Sequence, residues 1–248
     1  MTLLWILAFA VLGSVAGVAG AATVLLFSEK TLAALIPYLV SYATGALLGA
    51  ALLGLLPHAI EHQPAEVMLA TVLAGLCLFF VLERIVIWRH CHVVGHCDVH
   101  KTSGYMILVG DALHNFVDGI MLAAAFLSSV PLGIAAGLAV IAHELPQEVG
   151  DFAILLDSGL KRKHAFLLNL LSSVPTLPGA LLGYFALSQT VGSVPYVLAI
   201  AAASFLYIGL ADLVPGLQGR IGPETGWKQF LLMLTGVGTI LLVGRLHG

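Results

Sequence analysis

His114-Asn115-Phe116-Val117-Asp118-Gly119 and His143-Glu144-Leu145-Pro146-Gln147-Glu148 interrupt two otherwise apolar stretches, Ser103 to Ser128 and Pro131 to Asp157. An ionisable side chain at membrane depth costs about 2.5–3.5 kcal/mol on insertion scales, so a group of them in apolar surroundings demands a functional reason. Whether these stretches lie in a membrane therefore decides how the rest of the chain is read.

Composition answers that question. Of 248 residues, 60% are hydrophobic and 9% charged, and the mean hydropathy is +1.04, which leaves too little polar surface to cover a soluble globule. The chain reads as a polytopic, all-α membrane protein. Its apolar stretches are roughly 20 to 27 residues long, enough for a tilted helix to cross a hydrocarbon core. Eight are expected: Leu3 to Phe27, Thr31 to His58, Glu66 to Trp88, Ser103 to Ser128, Pro131 to Asp157, His164 to Ser188, Val194 to Leu217 and Trp227 to Leu246. The first has no basic leader and carries Gly13, Gly17 and Gly20, which favours a packed helix over a cleaved signal peptide.

The few charges supply an orientation. With the N-terminus outside, Lys30, Arg84, Arg89, Lys101, Lys161, Arg162, Lys163, Arg220 and Lys228 all fall on the inner side, and only Arg245 lies outside. That asymmetry places both termini outside. Cys77 sits within a span, and Cys91 and Cys97 sit in a loop on the inner side; an odd count in a reducing compartment argues against a disulfide framework.

No long polar insertion divides the chain, so residues 1–248 read as one membrane domain, with a longest connection at Arg89 to Thr102. Other links are short and force consecutive helices to run antiparallel as neighbours. The fourth and fifth helices carry related cores, His-Asn-x-x-Asp and His-Glu-x-x-Gln, in opposite directions. Three helices precede this pair and three follow, which suits a 3+2+3 arrangement of inverted repeats, a design common among transporters.

Helical phase gathers the polar residues. At about 100° per residue, Asp111, Asn115 and Asp118 fall within about 100° of His114, and Glu144, Gln147, Glu148 and Asp151 within about 140° of His143. Both faces lie near the middle of their spans, so they can meet at the bilayer centre. Imidazole nitrogen and carboxylate oxygen suit a first-row divalent ion such as zinc, and amides add weaker ligands. A site without thiolates should release its ion more readily than a Cys-rich structural site. Pro146 removes a hydrogen bond to the carbonyl of Ala142, which should kink the helix and free that oxygen. Taken singly, His114 or Asn115 reads as an interhelical hydrogen-bonding group; together with Asp118, His143 and Glu144 they read as a cation site. Asp111 and Asp151 are flanking members, and for Glu148 direct and supporting roles are evenly matched.

Three peripheral features are weaker. His58 and His62, one turn apart with Glu61 between them, could collect an ion at the outer end of the second helix. His90, Cys91, His92, His96, Cys97 and His100 resemble a flexible cation-binding tract and lack zinc-finger spacing. Asn169 and Asp212 are isolated polar residues whose default role is an interhelical hydrogen bond.

At these motifs the chain resembles the ZIP family of divalent metal transporters, in particular the branch whose fifth-helix motif begins His-Glu-x-Pro. The resemblance covers essentially the whole chain. It implies metal binding by His114, Asn115, Asp118, His143, Glu144 and position 147, in some members at two adjacent positions that share carboxylates. This chain departs from the branch at Gln147, where His is usual, and at Asn169, where some members have an acid. The expected function is uptake of zinc into the cytosol across the cell membrane, plasma or inner, by a multi-pass protein. Zinc enters as substrate, with no prosthetic group, and manganese, iron and cadmium are further candidates. The expected partners are divalent ions and the lipid bilayer, not nucleic acid, and a homodimer is admitted. The competing reading is a membrane-embedded zinc hydrolase, since His143-Glu144 looks superficially like a metalloprotease helix. That chemistry needs His-Glu-x-x-His, which Pro146 and Gln147 do not provide.

Overall fold

In a hydrocarbon environment a backbone must satisfy its own hydrogen bonds, and the described residues of this chain do so almost entirely with helices. The computed structural model describes residues 1–24, 29–90, 99–218 and 223–245, among which there is no strand. Among the described residues eight helices are long and apolar enough to cross a membrane. We label these α1 (Thr2–Val24), α2 (Glu29–Gly49, extended to His62), α3 (Ala65–His90), α4 (Val99–Ser128), α5 (Val130–Asp157), α6 (Arg162–Ser173 and Thr176–Gln189), α7 (Val194–Tyr207, extended to Gln218) and α8 (Pro223–Arg245). The Arg89 to Thr102 connection expected from sequence is shorter, because α3 runs to His90 and α4 starts at Val99. Cys91, His92, His96 and Cys97 lie outside the described residues, as do the side chains of His90, His100 and Asp212.

Three of these eight helices are interrupted within their length. In α2 a π-helical turn spans Ala50–Leu55, and the Leu56 N–H reaches back five residues to the Ala51 carbonyl. In α7 the same device spans Ile208–Leu213, with Val214 bonded to Gly209. Pro57 follows one turn and Pro215 the other. A proline cannot bond to the carbonyl four residues back, so a widened turn just before it moves the unpaired carbonyl within the helix wall. The third interruption is a break in α6, where Pro175 denies the Leu171 carbonyl its helical partner. There the Leu177 N–H bonds to Val174 at 3.1 Å and the Gly179 N–H to Pro175 at 3.0 Å. By contrast α5 continues through Pro146 as a single helix.

Helices α4 and α6 approach closely. A methyl group at Gly119 would overlap the Thr176 carbonyl, and one at Gly179 would overlap the Phe116 carbonyl, so each backbone occupies the space the other's missing side chain leaves. Gly45 and Gly236 join α2 to α8 in the same way, against Met233 and Tyr42. Further packing sets α1 on α5, α4 on α5, α3 on α7 and α2 on α5. Toward the Ser128–Val130 turn, Ile6, Leu122, Phe126 and Ala180 form a dry layer, with the Phe9 and Phe126 rings 5.4 Å apart. Toward the opposite end, Leu108, Phe152, Leu155 and Ala165 form another. The polar faces of α4 and α5 lie between these two layers.

Candidate metal centre

The middle of α4 faces the middle of α5, as helical phase requires, and the side chains there converge. His143 sets the pattern. Its Nδ1–H donates to the Ala139 carbonyl at 3.0 Å, one turn back. Because a carbonyl can only accept, the neutral ring keeps its lone pair on Nε2, aimed into the cluster. His114 Nε2 lies 3.1 Å from that atom, the rings meeting edge to face. Asp118 Oδ2 is 3.3 Å from His143 Nε2 and 3.6 Å from His114 Nε2. Glu144 Oε1 is 3.6 Å from His143 Nε2 and 3.7 Å from His114 Nε2.

These separations have a simple geometric meaning. Zinc takes nitrogen and oxygen ligands at about 2.0–2.1 Å, so the edges of a tetrahedron around it measure about 3.3–3.4 Å. The five nitrogen-to-nitrogen and nitrogen-to-oxygen separations run from 3.1 to 3.7 Å, which brackets that value. One ligand atom from each of His114, Asp118, His143 and Glu144 lies within 4.8 Å of the others. Both Asp118 oxygens and Glu144 Oε1 are buried without a hydrogen-bond donor. Bare carboxylate oxygens are costly in a dry interior, and a cation among them offsets that cost. Asp118, His143 and Glu144 are almost fully buried, whereas the His114 side chain is 19% exposed and is the cluster's edge toward solvent or a path.

A second group, Asp111, Glu144 and Glu148, shares Glu144 with the first. Here protein donors take up much of the oxygen capacity. Glu148 receives Ser173 Oγ–H on one oxygen and Asn169 Nδ2–H on the other. Asp111 Oδ1 receives Asn115 Nδ2–H and Gln147 Nε2–H, each at 3.1 Å, while its Oδ2 has none. Asn115 Oδ1 in turn accepts the Thr176 hydroxyl at 2.9 Å. The two amides expected among the ligands thus turn their N–H groups to Asp111, and Asn115 turns its oxygen to α6.

Of the residues marked out by sequence, His114, Asp118, His143 and Glu144 form one cluster, and Asp111, promoted from the flank, joins Glu148 and Glu144 in the other. Asp151 stands half-buried outside both, and Asn169 makes the interhelical hydrogen bond that was its default expectation. His58 and His62 join neither cluster; each donates Nδ1–H to a carbonyl one turn back, Gly54 at 3.2 Å and His58 at 2.9 Å. Cys77 is exposed and unbonded.

Sequence reading missed Ser173 and Thr176. Their signal was present: with Asn169 at zero, they fall within about 40° of it on one helix face. Single serines and threonines are ordinary in membrane helices, so only the residues they touch mark them out.

Residues 89–244 match the family model described as ZIP zinc transporter. Zinc transporter ZIP4 of Mus musculus is 44% identical over 148 residues, covering 58% of this chain and 22% of that protein. Zinc transporter foi of Drosophila melanogaster is 40% identical over 148 residues, covering 58% and 20%. Zinc transporter ZIP6 of Homo sapiens is 37% identical over 149 residues, covering 57% and 20%. The matched stretch is thus about a fifth of the length of these relatives. The family-model match, residues 89–244, holds both polar motifs and all of α4 to α7, and with that model matching well over half of its residues the chain belongs to the ZIP zinc transporter family.

Proposed function

We propose that the protein carries divalent metal ions, zinc foremost, across the membrane and into the cytosol through the cluster of His114, Asp118, His143 and Glu144. The observation that carries this reading is the close-set group of two nitrogens and two carboxylate oxygens in mid-span, with those oxygens buried and bare. Asn115, Gln147 and Glu148 complete the site from the side. An ion sheds water to the four ligands and leaves as one bundle of helices shifts against another. Glycine-locked contacts support such a division, with α4 tied to α6 and α2 tied to α8.

A 3+2+3 arrangement is part of the proposal. Exchange of α1 with α6, α2 with α7, α3 with α8 and α4 with α5 turns the α1–α5 contact into α6–α4, and α3–α7 into α8–α2; all four contacts are prominent. Twin π-helical turns in the exchanged pair α2 and α7 support the same symmetry. The inward distribution of nine of ten basic residues supports both termini outside, in a cell membrane, plasma or inner. Manganese, iron and cadmium fit the same ligand types as competing cargo, and a homodimer remains part of the reading. His58 and His62, with Nε2 free of their backbone bonds, suit a collecting role at the outer end. A hydrolase gains no support: position 147 lacks the second histidine, and its amide is turned to Asp111.

Proteoliposomes containing the full chain test the proposal by uptake of zinc. Uptake is expected in the native protein and lost when His143→Ala and Asp118→Ala are combined; uptake that survives the pair sinks the assignment.

A further inference from the structure

Thr176 stands at the first turn after the break in α6, where the glycine lock brings α6 closest to α4. Its hydroxyl carries one proton and has two acceptors at equal distance, Asn115 Oδ1 at 2.9 Å and the Ser173 carbonyl at 2.9 Å. Thr176, Asn115 and Ser173 are all nearly or fully buried, so these bonds are closed to bulk solvent. The other end of the Asn115 side chain is anchored separately, by Nδ2–H bonds to the Asp111 carbonyl at 3.2 Å and to Asp111 Oδ1 at 3.1 Å.

We infer that Thr176 is a positioning residue for the metal passage, acting through Asn115: its hydroxyl holds the amide oxygen until a cation claims it, then turns to the Ser173 carbonyl. The inference rests on the reading of the polar cluster as a cation path. Its physical basis is that the exchange leaves no buried group orphaned. When the cation takes Asn115 Oδ1, the hydroxyl proton keeps a full acceptor in its own helix. When the cation leaves, the oxygen regains its donor. An ordinary ligand would pay the desolvation of a bare amide oxygen on every release. A paired alternative on the donor lowers that cost and so speeds departure. Ser173's carbonyl is suited to the task because it already accepts from a second hydroxyl, that of Ser14 at 3.0 Å, and a carbonyl has room for two.

A hydroxyl that acts this way has a distinctive kinetic signature. Thr176→Val keeps the shape of the side chain and removes the donor, so Asn115 Oδ1 is bare between ions and grips the cation harder. The dissociation constant and KM for zinc should both fall by about three- to tenfold, the range of one net hydrogen bond, and the maximal uptake rate should fall with them. Damage to packing alone would lower the amount of folded protein or raise KM.

The test uses the full chain in detergent for zinc binding by calorimetry and in proteoliposomes for zinc uptake. Thr176→Ala serves as a second hydroxyl-free variant should Thr176→Val fail to fold, and Thr176→Ser should restore native values. In an Asn115→Ala background, removal of the Thr176 hydroxyl should produce no further change. Unchanged or weakened zinc binding in both hydroxyl-free variants overturns the inference. So does a Thr176→Ser protein that shifts as far as Thr176→Val, or a shift that persists without Asn115. If the native chain binds zinc but does not carry it, the transport proposal falls while the binding series still judges Thr176. A native chain that neither binds nor carries zinc removes both.

Discussion

Glu144 belongs to two clusters of side chains, and the two differ in what faces their oxygens. Toward His114, Asp118 and His143 the carboxylates are bare, with Glu144 Oε1 and both Asp118 oxygens lacking any donor. Toward Asp111 and Glu148, hydroxyl and amide groups from α4, α5 and α6 occupy three of the four oxygens those two residues present. The first arrangement is costly without a cation, and the second is largely satisfied by the protein. Burial alone therefore does not mark a ligand in this fold. Under the proposed function it is the unfilled hydrogen-bonding capacity of a buried oxygen that marks a candidate ligand, a capacity Asp111 Oδ2 and Asn169 Oδ1 also have.

Substitutions can break that contrast, beginning with the bare cluster. Asp118→Asn keeps the shape and removes one anionic ligand. Zinc uptake below saturation should fall by at least about a hundredfold, beyond the roughly 10- to 100-fold usual for groups that only support a ligand. A loss of less than about tenfold would show that the ion does not depend on Asp118. Next in size is the response to pH, read as the zinc dissociation constant. Binding requires neutral histidines and ionised carboxylates, so protons compete with the ion, and affinity should fall steadily as the medium is acidified. An affinity that is flat, or that rises on acidification, would mean the histidines are not ligands.

The satisfied cluster should respond less. Ser173→Ala strips one donor from Glu148 and leaves that oxygen bare, which makes the second cluster resemble the first. Calorimetry should then detect tighter zinc binding by about two- to tenfold, the size of a single hydrogen bond. Weaker binding would mean that Ser173 acts by orienting Glu148 as a ligand. The smallest change in affinity is expected for Gln147→His, whose main effect should be on preference. A ring nitrogen in place of the amide favours zinc over the harder manganese ion, by about two- to fivefold in competition uptake. No change in preference would place position 147 outside the ion's reach.

Much of this molecule was legible from the one-dimensional pattern. Hydropathy located eight spans, and the short links between them leave little freedom in their ends. Helical phase put His114 and Asp118 on one face and His143 and Glu144 on another, because side chains one turn apart on a rigid helix must share a side. The interruptions in α2, α6 and α7 were not read from the pattern. A π-helical turn leaves hydropathy unchanged, and a transmembrane proline is compatible with a break, as at Pro175, or with a continuous helix, as at Pro146. The roles of Asn115 and Gln147 were equally hidden. An amide offers an oxygen and two N–H donors, and which end faces the ion path depends on the neighbours it finds.

The sequence by itself determined that this chain is a helical membrane protein with two His- and carboxylate-bearing faces at mid-span. Composition leaves no soluble alternative, and the periodicity of a helix assigns faces without reference to any partner. Only the tertiary structure decided which oxygens are left bare. That outcome depends on α6, whose break at Pro175 and glycine contact with α4 bring Asn169, Ser173 and Thr176 against Glu148 and Asn115. Hydrogen bonding acts over about 3 Å, so whether a buried carboxylate is satisfied by the protein or waits for a cation is settled by packing distances that no linear pattern encodes.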